Sequence, residues 1–442
     1  MKPLCIVSCP IDTFSGYGAR SRDFVKALIE VKGKKWEIKI SPQKWGDCPW
    51  NYLSQDDPLR ERFVSPTLKR RPDVWIQITV PNEFQPLGTA FNVGISAGIE
   101  TTIYPAEFLE GMNKMDLNLV SSEHSKNVAL NSGFEKRNQQ TNQVEKVIKL
   151  EKPCEVLFEG LDLNTYYKKP TSSKTNILKD VSEEFCFLYT GHWLNGKLGE
   201  DRKNTGLLIK TFLETFSGPG KNKPALILKT NEVNYSILDR EAILKKINNL
   251  RKKYGTPSSP SIYLLHGEMT DQEMNLLNND PKVKAFISFT KGEGFGRPLL
   301  EASITGKPII TTNWSGHTDF INPKYNVLIG GELKNVHSSS ANQFLLKESQ
   351  WFNINTKIAS KAMKDLFKHY KKYIAGSRKQ TQYIKDNFSF EKMVEKLKGY
   401  MPELKPTTPT TDVPLNLPKL KKVGEKNELP KLKLPKLKKI EA

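Results

Sequence analysis

Two carboxylates beside a glycine-rich turn are the strongest chemical signal in this sequence. Glu293 and Glu301 lie eight residues apart in the run 289–302, which reads FTKGEGFGRPLLEA. Glycine allows backbone amides to approach a ligand closely, and the N-terminus of a helix attracts anions. Amides and carboxylates together suit a ligand that carries both phosphates and hydroxyls, such as a nucleotide sugar. The alternative interpretation is an ordinary strand, turn and helix whose glutamates are simply solvated.

The elements that flank this run are expected to bring both carboxylates to one edge of a sheet. The apolar residues 285–289 predict a buried strand, and Pro298 fits the first turn of a helix that ends before Gly306. Helical side chains lean toward the N-terminus, so Glu301 is expected to lean back toward the turn. Glu293 and Glu301 would then share one crevice at the carboxyl end of the strand, where ligands bind in open α/β sheets.

The same run resembles the Glu-x7-Glu signature of retaining glycosyltransferases with the GT-B fold, in particular glycosyltransferase family 4. The likeness continues through 306–312 (GKPIITT) and 314–319 (WSGHTD). It implies an α/β protein with two Rossmann-like parallel-sheet domains that face a cleft. It also implies the transfer of a hexose or pentose from a nucleotide-diphosphate sugar to an acceptor hydroxyl.

The resemblance also implies roles for the residues of the run. Glu293 would contact hydroxyls of the donor sugar and take part in catalysis, and Glu301 would hold the ribose of the nucleotide. The backbone of Gly294, Phe295 and Gly296 would line the sugar and the phosphates. Retention leaves two mechanisms open, because either the leaving phosphate takes the acceptor proton or two carboxylates carry out a double displacement.

Two cations and a second glycine turn complete the expected donor site. Arg202 and Lys203 resemble the cationic element of the family, and Lys203 is expected to contact the diphosphate, where negative charge grows as the bond breaks. The family commonly has an arginine soon after the preceding strand, whereas this chain has His192, so either Arg202 or His192 takes that place. The turn Gly16–Gly18 resembles the turn that closes over the diphosphate from the first domain.

Histidines and metal ligands add little to this expected site. His317 follows a predicted strand and is expected to border the donor site, whereas His124 and His266 are expected to be structural. The chain contains no Asp-x-Asp sequence. We therefore predict that the site needs no metal and no cofactor besides its donor substrate.

Composition limits the class and the location of the protein. The chain has 442 residues, a formal net charge of +20 and 37% hydrophobic residues. No run approaches the ~18–20 apolar residues of a membrane span, and the apolar stretch at the N-terminus is short for a signal peptide. Five scattered cysteines favour a reducing compartment. The expected location is the cytoplasm, with peripheral attachment to a membrane as one option, or the host cytoplasm if the protein is viral.

The positive charge fits polyanionic partners or a merely lysine-rich surface. The basic surface and tail are expected to contact nucleic acid or an anionic membrane. Three acceptor classes stay open: a glycan or glycolipid, a hydroxymethylated base in phage DNA, and a small metabolite or protein side chain. Five aromatic residues of the first domain either pack in its core, as aromatic residues most often do, or offer stacking surfaces for sugars or bases: Trp45, Trp50, Trp75, Phe84 and Phe91. A non-catalytic GT-B protein that binds sugar nucleotides or acts as a scaffold is the alternative from another class.

Alternating strand and helix patterns predict two domains and a tail. Residues 1–165 are assigned to an acceptor domain, 166–184 to a linker and 185–387 to a donor domain. A helix near 388–402 is expected to cross back onto the first domain. Residues 403–442 contain Leu-Pro-Lys-Leu-Lys three times and predict a disordered basic tail.

Overall fold

Two six-stranded parallel sheets form the frame of the protein. The computed structural model describes residues 1–64, 70–88, 91–138, 140–170, 177–220 and 222–404. The predicted tail therefore lies outside the described residues from residue 405 onward. Residues 2–404 belong to a single structural unit, so contacts between its two sheets can be described.

The first sheet follows the first half of the chain. Its strand order is 2-1-3-4-5-8 in chain numbering, and all neighbouring strands are parallel. Strands 6 and 7 pair with each other as an antiparallel hairpin. We call these elements the first lobe: β1 (Leu4–Cys9), α1 (Gly16–Lys32), β2 (Glu37–Pro42), β3 (Val74–Ile78), β4 (Phe91–Ile95), α2 (Ala106–Met112), β5 (Leu117–Val120), α3 (Glu123–Asn131), β6 (Gly133–Arg137), β7 (Val144–Lys149) and β8 (Cys154–Val156).

The second sheet repeats this design, with strand order 11-10-9-12-13-14 and parallel pairing throughout. Strands 15 and 16 form a further antiparallel hairpin. We call its elements the second lobe: β9 (Cys186–Thr190), α4 (Thr205–Phe216), β10 (Ala225–Lys229), α5 (Ile237–Tyr254), β11 (Ile262–Leu265), α6 (Asp271–Asn279), β12 (Val283–Ile287), α7 (Arg297–Ser303), β13 (Ile309–Thr312), β14 (Val327–Ile329), β15 (Gly331–Asn335), β16 (Gln350–Ile354), α8 (Thr356–Lys368) and α9 (Tyr370–Asn387).

A last helix, α10 (Phe390–Tyr400), returns to the first lobe and packs against α1. Its N-cap residue Ser389 bridges to Leu161, and the Tyr400 hydroxyl donates a hydrogen bond to the Val156 carbonyl at 3.1 Å. None of the helices among the described residues is long and apolar enough to cross a membrane.

Burial explains why these residues form parallel sheets. Strands β1, β9 and β10 are buried along nearly their whole length and read as almost continuous apolar runs, as expected for strands that helices cover on both faces. The carboxyl ends of parallel strands meet at one edge of a sheet. The loops that follow β9 and β12 therefore lie side by side, and these loops carry the candidate site residues.

The two parallel sheets expected from the alternation of strands and helices are confirmed, and the differences have physical causes. The strand predicted at 285–289 is β12 at 283–287, because Ser288 and Phe289 already belong to the loop. The hairpins β6–β7 and β15–β16 were not predicted. Strands β6, β7 and β15 are almost entirely exposed, so they lack the apolar alternation that marks a half-buried strand.

We predict that Gly111 in α2 cannot accept a side chain. A Cβ at this position would lie 1.8 Å from the Pro81 carbonyl oxygen, whereas a Cβ on Gly399 in α10 would meet nothing within 4 Å. Gly111→Ala should lower the free energy of unfolding by about 1–3 kcal/mol, because backbone must move. Gly399→Ala should leave it unchanged or raise it by up to ~1 kcal/mol. Urea unfolding measures both changes, and equal effects of the two substitutions would contradict the prediction.

Candidate functional site

The glycine-rich loop runs from the end of β12 to the start of α7 and meets the first lobe directly. A Cβ on Gly292 would lie 2.0 Å from the Glu100 carbonyl oxygen, and a Cβ on Gly294 would lie 2.0 Å from that of Ala97. Gly296 caps α7 with a φ of 103°, a left-handed conformation that favours glycine. Close packing between the lobes thus explains why Gly292 and Gly294 have no side chain, without reference to any ligand.

Glu293 lies in this loop and forms ion pairs with two cations. Its Oε1 lies 2.6 Å from Lys203 Nζ, and its Oε2 lies 3.3 Å from Arg202 Nη1. The side chains are largely buried, with exposed fractions of 10% for Glu293, 13% for Lys203 and 16% for Arg202. The structure therefore brings together the three residues that were assigned to catalysis from the sequence.

Charge outweighs burial at Glu293. Burial alone would raise the pKa of this carboxyl, but Lys203 and Arg202 hold the pKa at about 2. Burial also acts to lower the pKa of Lys203, and the contact with Glu293 opposes that effect. At 2.6 Å the ion pair is favoured over two neutral groups. Glu293 is therefore ionised at neutral pH and can accept hydrogen bonds but not donate them.

The loop between β9 and α4 holds the two cations in place. Asn204 has a φ of 55°, and its side-chain amide donates a hydrogen bond to the Phe289 carbonyl at 3.0 Å. The buried Asp201 carboxylate accepts the Asn204 backbone N–H at 2.7 Å. Lys291 donates its backbone N–H to the Arg202 carbonyl at 2.7 Å. These bonds tie the cationic loop to the glycine-rich loop.

Arg202 also joins the second lobe to the first. Its Nη2 lies 3.3 Å from Glu100 Oε1 of the first lobe, and its Nη1 donates to the Gly292 carbonyl at 3.0 Å. Desolvation of its ring and the charges of Lys203 and Arg202 lower the pKa of His192, which lies near the same cluster. Arg202, and not His192, forms the second ion pair of Glu293. Glu100 gave no signal in the sequence, because its partner is about a hundred residues away.

Glu301 belongs to a second ion-pair cluster. Its Oε1 accepts from Arg297 Nε at 2.9 Å, one helical turn back, so the side chain leans toward the N-terminus of α7 as predicted. Arg297 also pairs with Asp23 and lies 3.7 Å from Glu159, both of the first half of the chain. Burial raises the pKa of Glu301 to about 7, although Arg297 opposes the shift. Glu293 and Glu301 therefore have different charged partners.

The histidines at the contact between the lobes are neutral. His317 Nε2 lies 2.8 Å from the Thr312 carbonyl, and its buried Nδ1 has no partner among the described residues. A Cβ on Gly296 would lie 3.0 Å from the Cβ of His317, so this histidine borders the glycine-rich loop. His124 of the first lobe packs edge-on against Trp314 at 4.7 Å, and burial, with His317 nearby, lowers its pKa to about 4.

The turn predicted at Gly16–Gly18 is the first turn of α1. The Ser15 hydroxyl accepts the Gly18 N–H at 2.9 Å, and a Cβ on Gly18 would lie 2.3 Å from the Thr13 carbonyl oxygen. A Cβ on Gly16 would meet nothing within 4 Å. Packing therefore explains why residue 18 is a glycine. At Gly16 there is open space at the N-terminus of the helix.

One of the predicted aromatic surfaces lies beside this helix. The Trp45 ring stacks on Tyr17 with centroids 4.0 Å apart, and the Tyr17 hydroxyl accepts the Ala97 N–H at 3.1 Å. Trp45 is half-buried. Phe84 is a core residue that packs against Gly94, so the expectation that it offers a stacking surface is wrong.

Among the described residues, no three or more His, Cys, Asp or Glu side chains are arranged to hold a metal ion. No protein-family model matches this sequence, and no curated protein sequence matches it either.

Several solved structures share the architecture. HepE of Anabaena, solved in complex with UDP and glucose, has a TM-score of 0.55 at 12% identity, covering 90% of this chain and 99% of its own. Sucrose-phosphate synthase from Thermosynechococcus elongatus has a TM-score of 0.57 at 10% identity, with coverages of 90% and 98%. A glycosyltransferase from Rickettsia africae has a TM-score of 0.56 at 13% identity, with coverages of 90% and 97%. This likeness shows that the chain has the GT-B fold.

Proposed function

We propose that the protein is a retaining glycosyltransferase of the family 4 type that uses a nucleotide-diphosphate sugar and needs no metal. The observation that carries this proposal is the convergence of Lys203 and Arg202 on Glu293 at the carboxyl edge of the second sheet. HepE, which has a similar fold, was also solved with UDP-glucose. That complex supports a nucleotide sugar as the donor.

The cation cluster suits a leaving diphosphate. Lys203 and Arg202 form ion pairs with Glu293 and Glu100. When a donor binds, its diphosphate would take over the two cations, and Glu293 would be released to accept hydrogen bonds from hydroxyls of the sugar. Negative charge grows on the diphosphate as the glycosidic bond breaks, so fixed cations stabilise the transition state more than the bound substrate.

Of the two mechanisms, the front-face one asks least of Glu293. Its carboxyl is ionised and cannot protonate a leaving group, and a diphosphate leaves without that proton. In this mechanism the acceptor oxygen attacks from the side that the diphosphate leaves, and the diphosphate takes the acceptor proton. The chain then has to supply orientation and charge rather than a general base.

Donor entry requires the lobes to separate. Gly292 and Gly294 are buried and pack against the backbone of Glu100 and Ala97, so the first lobe covers the glycine-rich loop in the described conformation. Separation would break the Arg202–Glu100 ion pair and the hydrogen bond from Ser121 to the Gly294 carbonyl. Both contacts are polar, so water or a ligand can replace them.

The acceptor would bind on the first lobe. Trp45, stacked on Tyr17 next to the start of α1, offers a half-buried aromatic face near the glycine-rich loop. Such a face suits the ring of a glycan or glycolipid, and equally a base of hydroxymethylated phage DNA. Transfer assays on lipid-linked glycans and on hydroxymethylated DNA would distinguish these two acceptors.

Lys203→Ala is expected to lower turnover more than binding. Without acceptor, hydrolysis of UDP-glucose or another nucleotide-diphosphate sugar should slow by about 10²–10³-fold, the usual effect of removing one charge-stabilising donor. The affinity for UDP should change less, because the charge on the diphosphate is largest in the transition state. Lys210→Ala is the control and should change neither the rate of hydrolysis nor the affinity, because Lys210 is a half-buried lysine of α4 whose ion-pair partner is Glu214 of the same helix. Equal losses in turnover and binding would contradict the prediction, and an absence of hydrolysis in the unmodified protein would favour a non-catalytic binding protein.

Glu301→Gln is expected to weaken nucleotide binding and to remove its pH dependence. A carboxylate accepts ribose hydroxyls better than a neutral carboxyl does, and the pKa of Glu301 is raised to about 7. The affinity of the unmodified protein for UDP-glucose, whose diphosphate does not titrate in this range, should therefore rise between pH 6 and pH 8, which span that pKa. In Glu301→Gln the affinity should be about tenfold lower at the higher pH and should vary little across this range. Calorimetric titration measures the affinity of both proteins at each pH. If the affinity of Glu301→Gln rose with pH as that of the unmodified protein does, the role of Glu301 would be refuted.

Glu293→Gln is expected to destabilise the fold in a pH-dependent way. Removing one partner of a buried ion pair leaves uncompensated charge and should cost about 3 kcal/mol at neutral pH. The pKa of Glu293 is lowered from 4.5 to about 2 in the folded protein, so its stabilising effect is present above pH 4.5 and lost as the pH falls toward 2. The difference in unfolding free energy should therefore shrink on acidification. A difference that stays constant from pH 7 to pH 3 would contradict this charge assignment.

A further inference from the structure

A row of uncompensated lysines lies on the outer face of α8. Its members are four or three residues apart, a spacing that places them on one side of a helix. All are exposed, whereas Ala359, Met363 and Leu366 on the opposite side are buried in the core of the second lobe. We call this row the lysine stripe: Lys357, Lys361, Lys364 and Lys368.

Positive charge continues beyond the lysine stripe into the first turn of α9. Lys371 and Lys372 are exposed directly after it. Asp365 is the one acidic residue of α8, and its carboxylate is already occupied by His369 Nδ1 at 2.9 Å and by the Tyr373 hydroxyl. It therefore offers little neutralisation to the lysines around it.

These two helices carry a large share of the charge of the protein. Residues 356–387 contain nine lysines and arginines and two acids, a net charge of +7. Residues 405–442 contain ten lysines and four acids, which leaves +14 of the total +20 on residues 1–404. A segment of 32 residues thus holds half of the excess charge of the remaining chain. None of its nine cations forms an ion pair with another described residue: Lys357, Lys361, Lys364, Lys368, Lys371, Lys372, Arg378, Lys379 and Lys385.

Helix α5 of the same lobe also has a net positive charge, +4 from six cations and two acids, but its cations are arranged differently. They are not spaced as one row along a single side of the helix, and Lys246 pairs with Glu232 at 2.8 Å. A row of exposed lysines on one side is therefore a feature of α8 rather than of positive charge in general. Concentrated like charge on one face costs free energy through self-repulsion, and an extended polyanion removes that cost.

We propose that the lysine stripe binds the anionic headgroups of a membrane surface. The composition of residues 405–442 favours lipid over nucleic acid as the polyanion that this chain meets, because seven leucines stand among its ten lysines. Leucine side chains gain free energy in the interfacial region of a bilayer, whereas a phosphodiester backbone offers them nothing. Each lysine held near an anionic leaflet adds electrostatic attraction that salt screens. This inference is independent of the proposed enzymatic activity.

The test is co-sedimentation of the full-length chain with phosphatidylcholine vesicles that contain or lack phosphatidylglycerol. Binding is expected only with phosphatidylglycerol and should fall as salt is raised. Changing the four stripe lysines to Gln should lower the partition coefficient at least tenfold while the melting temperature stays the same, because these side chains are exposed. The control removes four charges from α5 by changing the following residues to Gln: Lys245, Arg251, Lys252 and Lys253.

A second variant separates the stripe from the tail by changing six repeat lysines to Gln: Lys419, Lys421, Lys431, Lys433, Lys436 and Lys438. Salt-sensitive binding that persists in this variant supports the stripe as a membrane surface. Complete loss of vesicle binding in this variant would show that the tail, and not the lysine stripe, binds the membrane, and would overturn the proposal. Equal losses from the stripe and α5 variants, or tighter binding to duplex DNA than to vesicles at the same salt, would also overturn it.

Discussion

Glu293 is almost fully buried, and its charge has to be balanced inside the protein. Two buried charges repay their desolvation only if their geometry is good and their remaining hydrogen bonds are satisfied. Lys203 meets this condition at 2.6 Å because the backbone on either side of it is held by the hydrogen bond between Asp201 and the left-handed residue Asn204. The conformation of the loop after β9 therefore determines whether the charge of Glu293, in the loop after β12, is balanced.

The packing of the glycines imposes a second constraint on the same loop. Any side chain at Gly292 or Gly294 would collide with backbone of the first lobe, and backbone cannot move aside as a flexible side chain can. The contacts around them include hydrogen bonds and ion pairs, such as Ser121 to Gly294 and Arg202 to Glu100, beside the ring contact of His124 with Trp314. Polar contacts of this kind separate at lower cost than an apolar core, because water satisfies both sides. The site thus combines close approach of two backbones with an interface that can open.

Much of the second sheet and of the site loop could be predicted from the sequence. The apolar run that forms β12, the glycines and Pro298 together mark a strand, a turn and a helix, and Arg297 lies at the i,i+4 spacing from Glu301 that helical geometry pairs. Glu100 and Asp23 could not be predicted as partners of Arg202 and Arg297. Contacts between elements that are far apart in the chain depend on how the lobes meet, and residue spacing contains no information about that.

The two ion-pair clusters share one arrangement that the sequence does not show. In each, an arginine of the second lobe lies between a glutamate of its own lobe and an acid of the first: Arg202 between Glu293 and Glu100, and Arg297 between Glu301 and Asp23. Separation of the lobes would leave each arginine with less negative charge nearby. When the lobes separate, the acids of the first lobe move away from the arginines. Under the proposed function, an incoming diphosphate would replace the negative charge of those acids. Opening and donor binding would then be electrostatically coupled, since the ligand stabilises the conformation that admits it.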